Sequence, residues 1–386
     1  MSENSQPEQI VIETCQTLAD VPATAWNALN SQKHPFTSYE FLYSLEKSGS
    51  VGGDSGWDPL YILAKDRDGT LVGGLPHYLK YHSYGEYVFD HGWANAFERA
   101  GGTYYPKLLG AVPFTPVPGP RLLVKGEDDR LATQILGAIE TLLMQNNLSS
   151  AHLNFITPQD RHRLEERGWL IRKGLQFHWH NQNYQNFDSF LDQLSSRKRK
   201  NIRKERQSLS DRGIEFQQLT AEAITPAHWD SFYQFYISTI ERKWGGAYLT
   251  EDFFHQIGKM MADRILLVFG YQEGRQIAAA LNFIGNDTLY GRNWGCSVDI
   301  PNLHFETCYY QAIEFAISHG LDKVEAGAQG FHKVQRGYIP CYTYSAHMLS
   351  HQGMSEAVQR FLRQENAQII HEAEAIGAAS PYRQSR

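Results

Sequence analysis

Residues 324–340, VEAGAQGFHKVQRGYIP, combine acidic, basic and imidazole side chains with three glycines. Glu325 falls on a predicted strand, where alternation separates it from its apolar neighbours and small residues leave room beside it. A carboxylate in such space can accept a proton from an attacking amine, so Glu325 is a candidate general base. The competing interpretation is a salt bridge from Glu325 to Lys333 or Arg336 that only closes the loop.

Three more ionisable groups follow in the same segment. Lys333 and Arg336 lie three positions apart, so they share one face of a turn and can neutralise an oxyanion or hold a phosphate or carboxylate. A solvated surface is the alternative for both. We predict Glu325, His332, Lys333 and Arg336 as catalytic residues and Gln329 as a substrate contact.

Two neighbouring stretches offer groups for a substrate groove. His304 and Glu306 in LHFETCYY lie at a predicted helix start, where they either face the substrate or serve as cap and first-turn charge. Arg292 and Trp294 in DTLYGRNWG share a strand face, where they can grip an anion or stack on a ring, or form an edge-strand pair. We predict all four as substrate-binding residues.

The stretch YGEYVFDHGW is predicted to be a strand, which would place Glu86, Val88 and Asp90 on one face. Two carboxylates on one face suggest recognition of an amine or another cation, and a solvent-exposed face is equally compatible. We predict Asp90 and His91 as substrate-binding residues.

A basic segment, SSRKRKNIRKERQ, interrupts a chain whose formal net charge is −6. At helical spacing Arg199, Arg203 and Arg206 line up, which predicts a polyanion site for RNA, a lipid pyrophosphate or a membrane surface. A solvated helix face is the alternative. The acidic overall charge gives no global field that would favour nucleic acid.

No metal site is predicted. His178 and His180 have the spacing of a two-histidine half-site, but the sequence offers no evident third ligand. The four cysteines are scattered and form no C-x-x-C pair, as expected in a reducing cytoplasm. The polar first residues contain no export signal and no apolar run is long enough to span a bilayer, so we expect a cytoplasmic protein.

These residues need two domains to position them, since 386 residues exceed one ordinary core. Each half is predicted to run strand, helices, antiparallel meander, helix, strand, strand. That order predicts an α+β fold of two tandem GNAT (acyl-CoA N-acyltransferase-like) domains, with mixed, mostly antiparallel sheets flanked by helices. The first meander contains a predicted hairpin around Asp68 and Gly69, and the predicted helix HFETCYYQAIEFAISHG ends at Gly320. The predicted segments are a disordered lead (1–10), a first GNAT-like domain (11–185), a basic helical connector (186–212), a second GNAT-like domain (213–352), and a C-terminal helix and tail (353–386).

The loop that binds coenzyme A in an ordinary GNAT enzyme is missing. That loop is glycine-rich and places backbone N–H groups around a pyrophosphate at a helix start. Here the equivalent stretch reads NWGCSVDIPNLHFETCYYQ, without an R-x-x-G-x-G pattern. This absence favours a donor other than acetyl-CoA, or one held by other means.

Six longer strings carry a family resemblance: HSYGEYVFDHGWANAFERAG, YYPKLLGAVPFTPVPGPRLL, SSRKRKNIRKERQ, DTLYGRNWG, LHFETCYYQAIEFAI and GAQGFHKVQRGYIP. Over about residues 34–350 the chain resembles the bacterial FemAB-like GNAT proteins of peptidoglycan biosynthesis or recognition. The resemblance implies relatives that move an amino acid from aminoacyl-tRNA onto a peptide amine of a cell-wall precursor. Phe331 departs from the family pattern, which has an acidic residue there.

We therefore predict an N-acyltransferase that passes an acyl or aminoacyl group to an amine, with a peptidoglycan precursor peptide as a candidate acceptor. The expected co-substrate is acyl-CoA or aminoacyl-tRNA, with no tightly bound cofactor, and candidate partners include tRNA and a membrane surface. The alternative is a non-catalytic module that binds muropeptide or a lipid-linked precursor. The sequence leaves donor, acceptor and oligomeric state open.

Overall fold

The computed structural model describes residues 9–241, 246–327 and 330–383. It contains mixed sheets flanked by helices, so the predicted α+β class is confirmed. The strands are β1 Val11–Cys15, β2 Trp57–Pro59, β3 Tyr61–Lys65, β4 Leu71–Leu75, β5 His77–Lys80, β6 Lys107–Gly110, β7 Leu123–Val124, β8 Ser150–Asn154, β9 Leu170–His180, β10 Ile214–Thr220, β11 Ile265–Gln272, β12 Arg275–Ile284, β13 Thr288–Cys296, β14 Lys323–Glu325 and β15 Ile339–Leu349. The helices are α1 Ala23–Leu29, α2 Tyr39–Lys47, α3 His91–Arg99, α4 Asp129–Gln145, α5 Pro158–Glu166, α6 Phe187–Gln193, α7 Ser196–Ser210, α8 Pro226–Glu241, α9 Glu251–Met260, α10 Leu303–Phe305, α11 Gln311–Ser318 and α12 Gln352–Ala378.

The chain divides into two compact units. The first contains the described residues up to Gly174 together with Thr343–Ala367, and the second contains Leu175–Tyr342 and the chain from Gln368 onward. The division falls within β9, within β15 and within α12, because each of these elements contributes residues to both units. Most of the lead predicted at 1–10 lies outside the described residues.

The first unit has two sheets. An antiparallel sheet has the order β1-β3-β4-β7, and the predicted hairpin between β3 and β4 is present, with Gly69 at φ +80° in its turn. In the other sheet β2, β5, β6 and β8 follow one another, and β8 also pairs with the Ser345–Leu349 part of β15. The apolar face of α4 packs over these strands, with Ile135 and Ile139 fully buried.

The second unit is built on the meander that the sequence predicts. Strands β10, β11, β12 and β13 are antiparallel neighbours, β14 pairs parallel to β13, and His178–His180 of β9 pairs with β14. Apolar residues on both faces of this sheet are buried, as expected for strands covered by helices. Trp179, Phe190, Ile313 and Val324 belong to one continuous core.

The connection from β13 to β14 is a helical run from Leu303 to Ser318 that is π-helical over Glu306–Tyr310. It begins after Asn302, which has a left-handed backbone at φ 72°, and Gly320 at φ 65° follows its end. Both residue types tolerate positive φ, which explains where the helix starts and stops. The helix predicted from the sequence to end at Gly320 is confirmed.

A β-bulge interrupts the pairing of β12 with β13. Leu281 lies opposite Asn293 and Asn282 lies opposite Gly291, so Arg292 is the additional residue on β13. A bulge bends its strand and re-aims the side chains around it. This irregularity lies in the segment that the sequence predicts to bind substrate.

One glycine of β13 is dictated by close packing, which gives a direct test of the fold. A Cβ atom on Gly295 would lie 1.9 Å from the Phe235 carbonyl oxygen of α8. We expect Gly295→Ala to lower the free energy of unfolding by about 1–3 kcal/mol, because backbone must move to relieve the overlap. Urea denaturation followed by circular dichroism measures this change.

The matched control is Gly137→Ala in α4, where the added methyl group would meet only ordinary contact, 3.6 Å from the Arg167 side chain. This control should be neutral or stabilising by up to about 1 kcal/mol, since alanine is the better helix former. A wild-type urea midpoint for Gly295→Ala would contradict the packing of α8 on β13.

Candidate functional site

The pairing of β13 with β14 is short. It joins Thr288–Tyr290 to Lys323–Glu325, after which β14 ends while β13 continues to Cys296. Within the described part of the chain, no strand pairs with this edge of β13 beyond Tyr290. A cleft of about 60 Å³ opens beside it. Its lining comes from β12, β13, the residue after β14 and the helical run: Ala280, Leu281, Asn282, Gly291, Arg292, Asn293, Trp294, Ala326, His304, Cys308 and Tyr309.

The cleft brings together Arg292, Trp294 and His304, three of the predicted substrate-binding residues. The ring centroids of Trp294 and His304 are 4.4 Å apart. His332 joins the same group, because its ring lies 5.9 Å from that of His304 and its Nε2 lies 2.9 Å from the Tyr309 hydroxyl oxygen. The result is a wall of aromatic and imidazole rings at the unpaired edge of β13.

Tyr309 was not predicted from the sequence. Its place in an apolar helical pattern is that of a core residue, and it is indeed 3% exposed. The π-helical segment Glu306–Tyr310 changes the spacing of side chains along the helix, and Tyr309 both lines the cleft and contacts His332. The sequence showed no signal for this offset, although such segments often mark functional sites.

Lys333 and Arg336 lie on the short 3₁₀ turn Phe331–Arg336 beside the cleft. Lys333 is 2% exposed and donates a hydrogen bond to the Gly327 carbonyl oxygen at 2.8 Å. Burial lowers the pKa of Lys333 to about 8, and Cys308 of the cleft wall partly opposes that shift. The ammonium group is therefore within reach of its neutral form near physiological pH.

Glu325 points to different partners from those the sequence suggests. Its Oε1 lies 2.7 Å from Lys323 Nζ and 3.8 Å from His178 Nδ1. The competing interpretation, a salt bridge from Glu325 to Lys333 or Arg336, is therefore not observed among the described residues. Strand alternation separates Glu325 from Ala326, which lines the cleft. Burial raises the pKa of Glu325 although Lys323 opposes that shift, and Oε2 has no hydrogen-bond partner among the described residues.

Arg336 and Glu306 face carboxylate and guanidinium partners on α7. Arg336 Nη2 contacts both carboxylate oxygens of Glu205, at 2.9 and 3.0 Å. Glu306 is 3% exposed and receives two hydrogen bonds from Arg206, at 2.8 and 3.0 Å. Neither Arg336 nor Glu306 is among the residues that line the cleft. Through their contacts with α7, both support the elements that form its walls.

The three arginines predicted to bind a polyanion all face carboxylates. Arg199 pairs with Asp192 at 2.9 Å, Arg203 pairs with Asp188 at 2.8 Å, and Arg206 bridges Glu306 and Glu314. The three arginines that line up at helical spacing are therefore each paired with carboxylates of their own unit. The other exposed cations of α7 are Arg197, Lys200 and Lys204.

Asp90 belongs to the first unit, and the strand predicted around it is wrong. Gly85 and Tyr87 have positive φ values of 79° and 58°, which break strand alternation, and Asp90 precedes α3 as its N-cap residue. Asp90 and Glu86 nonetheless converge, because both bind the ammonium of Lys107, at 2.5 and 3.0 Å. The cation that the two carboxylates recognise is therefore internal.

The buried Lys107 cluster continues into two histidines. His152 Nδ1 lies 2.7 Å from His347 Nδ1, and His152 Nε2 lies 3.9 Å from Asp90. Burial alone would raise the pKa of Asp90, but Lys107 and His152 lower it overall. Burial raises the pKa of Glu86 to about 7 although Lys107 opposes the change.

The histidines His91, His178 and His180 are not among the residues that line the cleft. His91 is partly exposed, with its ring 5.5 Å from that of Tyr84. His178 and His180 share a face of β9, where His178 is buried against Glu325. Gln329 lies outside the described residues, as does the side chain of Phe331.

The fold and the cleft define a GNAT-type protein, and the comparisons with known proteins agree. Residues 17–384 match the FemAB-like family, described as peptidoglycan biosynthesis/recognition, so the chain belongs to that family as predicted. Among curated proteins, none matches the chain significantly.

Solved structures with low sequence identity share the fold over nearly their whole length. FemX is 11% identical, with 87% of this chain and 98% of that chain covered and a TM-score of 0.55. L-PGS from Bacillus licheniformis is 11% identical, with 86% of this chain and 98% of that chain covered and a TM-score of 0.51. The C-terminal domain of a putative lysylphosphatidylglycerol synthetase from Agrobacterium fabrum is 9% identical, covers 87% and 95%, and also has a TM-score of 0.51.

Family and fold together confirm the predicted FemAB-like family and the predicted tandem GNAT fold class. Among the described helices, none combines the length and the apolar character needed to cross a membrane.

The Lys107 cluster gives a stability prediction for the first unit. Lys107→Met removes the one ammonium that contacts two carboxylates, which are only 4% and 2% exposed. We expect a loss of about 3–5 kcal/mol in the free energy of unfolding, because breaking a buried pair leaves an uncompensated charge. The change is measured by urea denaturation at neutral pH.

Lys65→Met is the matched control, since Lys65 pairs with Glu13 at 2.6 Å on the surface of the same unit. The control should change stability by at most about 1 kcal/mol. Equal effects of the two substitutions would show that the Lys107 contacts contribute no more than a surface pair.

Proposed function

We propose that the second unit transfers an acyl or aminoacyl group to an amine at the unpaired edge of β13. The single observation that carries the proposal is the end of the β13–β14 pairing at Tyr290 and Glu325, with the cleft directly beyond it. Backbone N–H groups without a strand partner are ready donors for a carbonyl oxygen. The bulge at Arg292 lies in this segment, and Arg292 is among the residues that line the cleft.

In the proposed reaction the acceptor amine attacks the carbonyl carbon of the donor ester or thioester. The new C–N bond forms as the carbonyl oxygen takes up negative charge, which the β13 backbone and Arg292 stabilise. Collapse of this intermediate breaks the bond to the leaving oxygen or sulfur. The attacking nitrogen loses a proton and the leaving group gains one, so the protons balance. The reaction needs no covalent enzyme intermediate.

Lys333 is the proposed proton acceptor. Its pKa of about 8 lets a fraction of the side chain be neutral at physiological pH, and a neutral amine can accept the proton that the nucleophile loses. His332 is the second candidate, since its pKa is lowered by burial and its Nε2 contacts the Tyr309 hydroxyl. Glu325 is a less direct candidate because Lys323 occupies one of its oxygens.

The favoured donor is an aminoacyl ester such as aminoacyl-tRNA rather than acetyl-CoA. The residues between β13 and α10 include Pro301, which cannot donate a backbone hydrogen bond. This segment therefore lacks the run of N–H groups that cradles a pyrophosphate. Membership of the FemAB-like family supports the same donor class and suggests a peptidoglycan precursor peptide as the amine acceptor.

Donor choice can be tested with radiolabelled aminoacyl-tRNA and acetyl-CoA in parallel, each with a muropeptide amine as acceptor. We expect label to pass from aminoacyl-tRNA to the muropeptide, and we expect Arg292→Ala to slow transfer by about 100-fold, the effect of losing one oxyanion contact. Arg212→Ala, on the exposed end of the α7 region, is the control and should retain the wild-type rate.

Two results would redirect the proposal. Transfer from acetyl-CoA alone would contradict the donor assignment. A thermal shift with muropeptide, without transfer from either donor, would favour the binding module, since a ligand at 100 times its dissociation constant adds about 2.7 kcal/mol of stability.

The role of Lys333 predicts a pH dependence. Because the pKa of Lys333 is lowered to about 8, the single-turnover rate of transfer should rise with pH and level off above about pH 8. Lys333→Arg keeps a positive charge but cannot deprotonate, so it should slow transfer by about 100-fold or more. Lys259→Arg on the exposed end of α9 is the control. A wild-type rate and pH profile for Lys333→Arg would show that Lys333 acts only through its charge.

The lowered pKa of Lys333 also affects the free energy of unfolding. Between about pH 8 and the unfolded-state pKa near 10.4, the unfolded chain binds more protons at Lys333 than the folded chain does. Stability should therefore rise with pH across that window, by linkage, and Lys333→Met should lose this rise.

A further inference from the structure

Two adjacent residues of α7 face the protein rather than solvent. Glu205 receives Arg336 Nη2 at 2.9 and 3.0 Å and accepts a hydrogen bond from the Tyr310 hydroxyl. Arg206 donates to both oxygens of Glu306 and both oxygens of Glu314, at 2.8–3.0 Å. We call Glu205 and Arg206 with these contacts the α7 clamp.

Glu205 acts on the turn that carries His332. Arg336 Nη1 donates to the His332 carbonyl oxygen at 2.9 Å, and its guanidinium carbon lies 3.3 Å from the centroid of the Phe305 ring. The turn is bounded by Gly330 and Gly337, whose φ values are 120° and 92°. Glycines at both ends leave the backbone free to move, so the turn depends on side-chain contacts to hold its position.

Arg206 acts on the opposite wall of the cleft. Glu306 is the first residue of the π-helical segment, which also carries Cys308 and Tyr309 of the cleft lining. The Glu306 carboxylate is buried, and Gln311 is its other hydrogen-bond partner, at 2.8 Å. A bidentate arginine fixes the direction of a carboxylate as well as its charge.

One helix thus holds both elements whose contact forms the ring wall. Tyr309 comes from the π-helical segment and His332 comes from the 3₁₀ turn, and their hydroxyl and Nε2 atoms are 2.9 Å apart. The two adjacent residues of α7 carry opposite charges. The Glu205 carboxylate binds Arg336 of the 3₁₀ turn, and the Arg206 guanidinium binds Glu306 of the π-helical segment. A displacement of α7 would therefore move both walls.

We propose that Glu205 and Arg206 are positioning residues, which set the geometry of the Tyr309–His332 contact and so the efficiency of transfer at the cleft. The catalytic part of this inference rests on the proposed function. The structural part concerns only the order of the turn and stands without it. Neither residue lines the cleft, so the clamp acts through Arg336 and Glu306.

Hydrogen exchange of the turn tests the structural part on the full-length protein. The Gly337 and Tyr338 amides donate to the Val334 and Lys333 carbonyls, so they report closing of the turn. Glu205→Gln should exchange these amides at least tenfold faster than wild type. Glu205→Asp retains the charge with shorter reach and should fall between the two, and it remains informative if Glu205→Gln does not fold.

Asp188→Asn is the matched control. It makes the same change in charge and removes the exposed α6 partner of Arg203, a residue of α7. Wild-type exchange of Gly337 and Tyr338 is expected in this variant. Wild-type exchange in Glu205→Gln, or equal acceleration in Asp188→Asn, would overturn the clamp.

Transfer kinetics test the catalytic part. Glu205→Gln should lower kcat by about tenfold or more per folded molecule, with the donor KM within about twofold of wild type, because alignment of the bound groups is lost. Partial recovery of kcat in Glu205→Asp is expected. An unchanged kcat alongside faster exchange would overturn the positioning role.

A wild-type protein that transfers from no donor would defeat the proposed function, while the exchange measurement would still decide whether the α7 clamp orders the turn.

Discussion

The second unit depends on a backbone constraint. Pairing of β13 with β14 stops at Tyr290 and Glu325, while β13 remains paired with β12 as far as Cys296. A buried strand edge must satisfy its N–H and C=O groups in some way, and a sheet that opens at this point offers them to a ligand. The bulge at Arg292 adds one residue to β13 in the same stretch, so the strand bends where the cleft begins.

Buried charges then determine how the elements around that edge are held. In the second unit two ion pairs beside the cleft join different elements, since Arg206 of α7 binds Glu306 and Arg336 binds Glu205 of α7. Glu325 pairs with Lys323 within β14. Burial makes each pair expensive to break. The first unit uses the same principle at Lys107, where the surrounding groups leave the ammonium 0% exposed.

The sequence predicted the fold well where local patterns are strong. The meander from β11 to β13, the helix that ends before Gly320 and the hairpin at Gly69 all follow from periodicity and turn residues. The prediction failed around Asp90, because the apolar–polar alternation there resembles a strand and only the backbone reveals positive φ at Gly85 and Tyr87.

The candidate site was predicted in part. The sequence singled out Arg292, Trp294, His304 and His332 in separate motifs, and the structure brings these four residues together at the cleft. It could not show Tyr309, since π-helical spacing leaves no mark in an apolar pattern. Nor could it foresee the partners of Glu325 or of the α7 arginines, because ion pairs between distant segments depend on tertiary packing.

The most direct measurement of the central claim is a crystal structure with a non-hydrolysable donor, an amide-linked aminoacyl nucleotide. The account predicts that the carbonyl group lies against β13 between Gly291 and Asn293, with its oxygen facing Arg292 and the edge of β13 that no described strand covers. An analogue bound at saturating concentration elsewhere in the protein, with this cleft unoccupied, would contradict it.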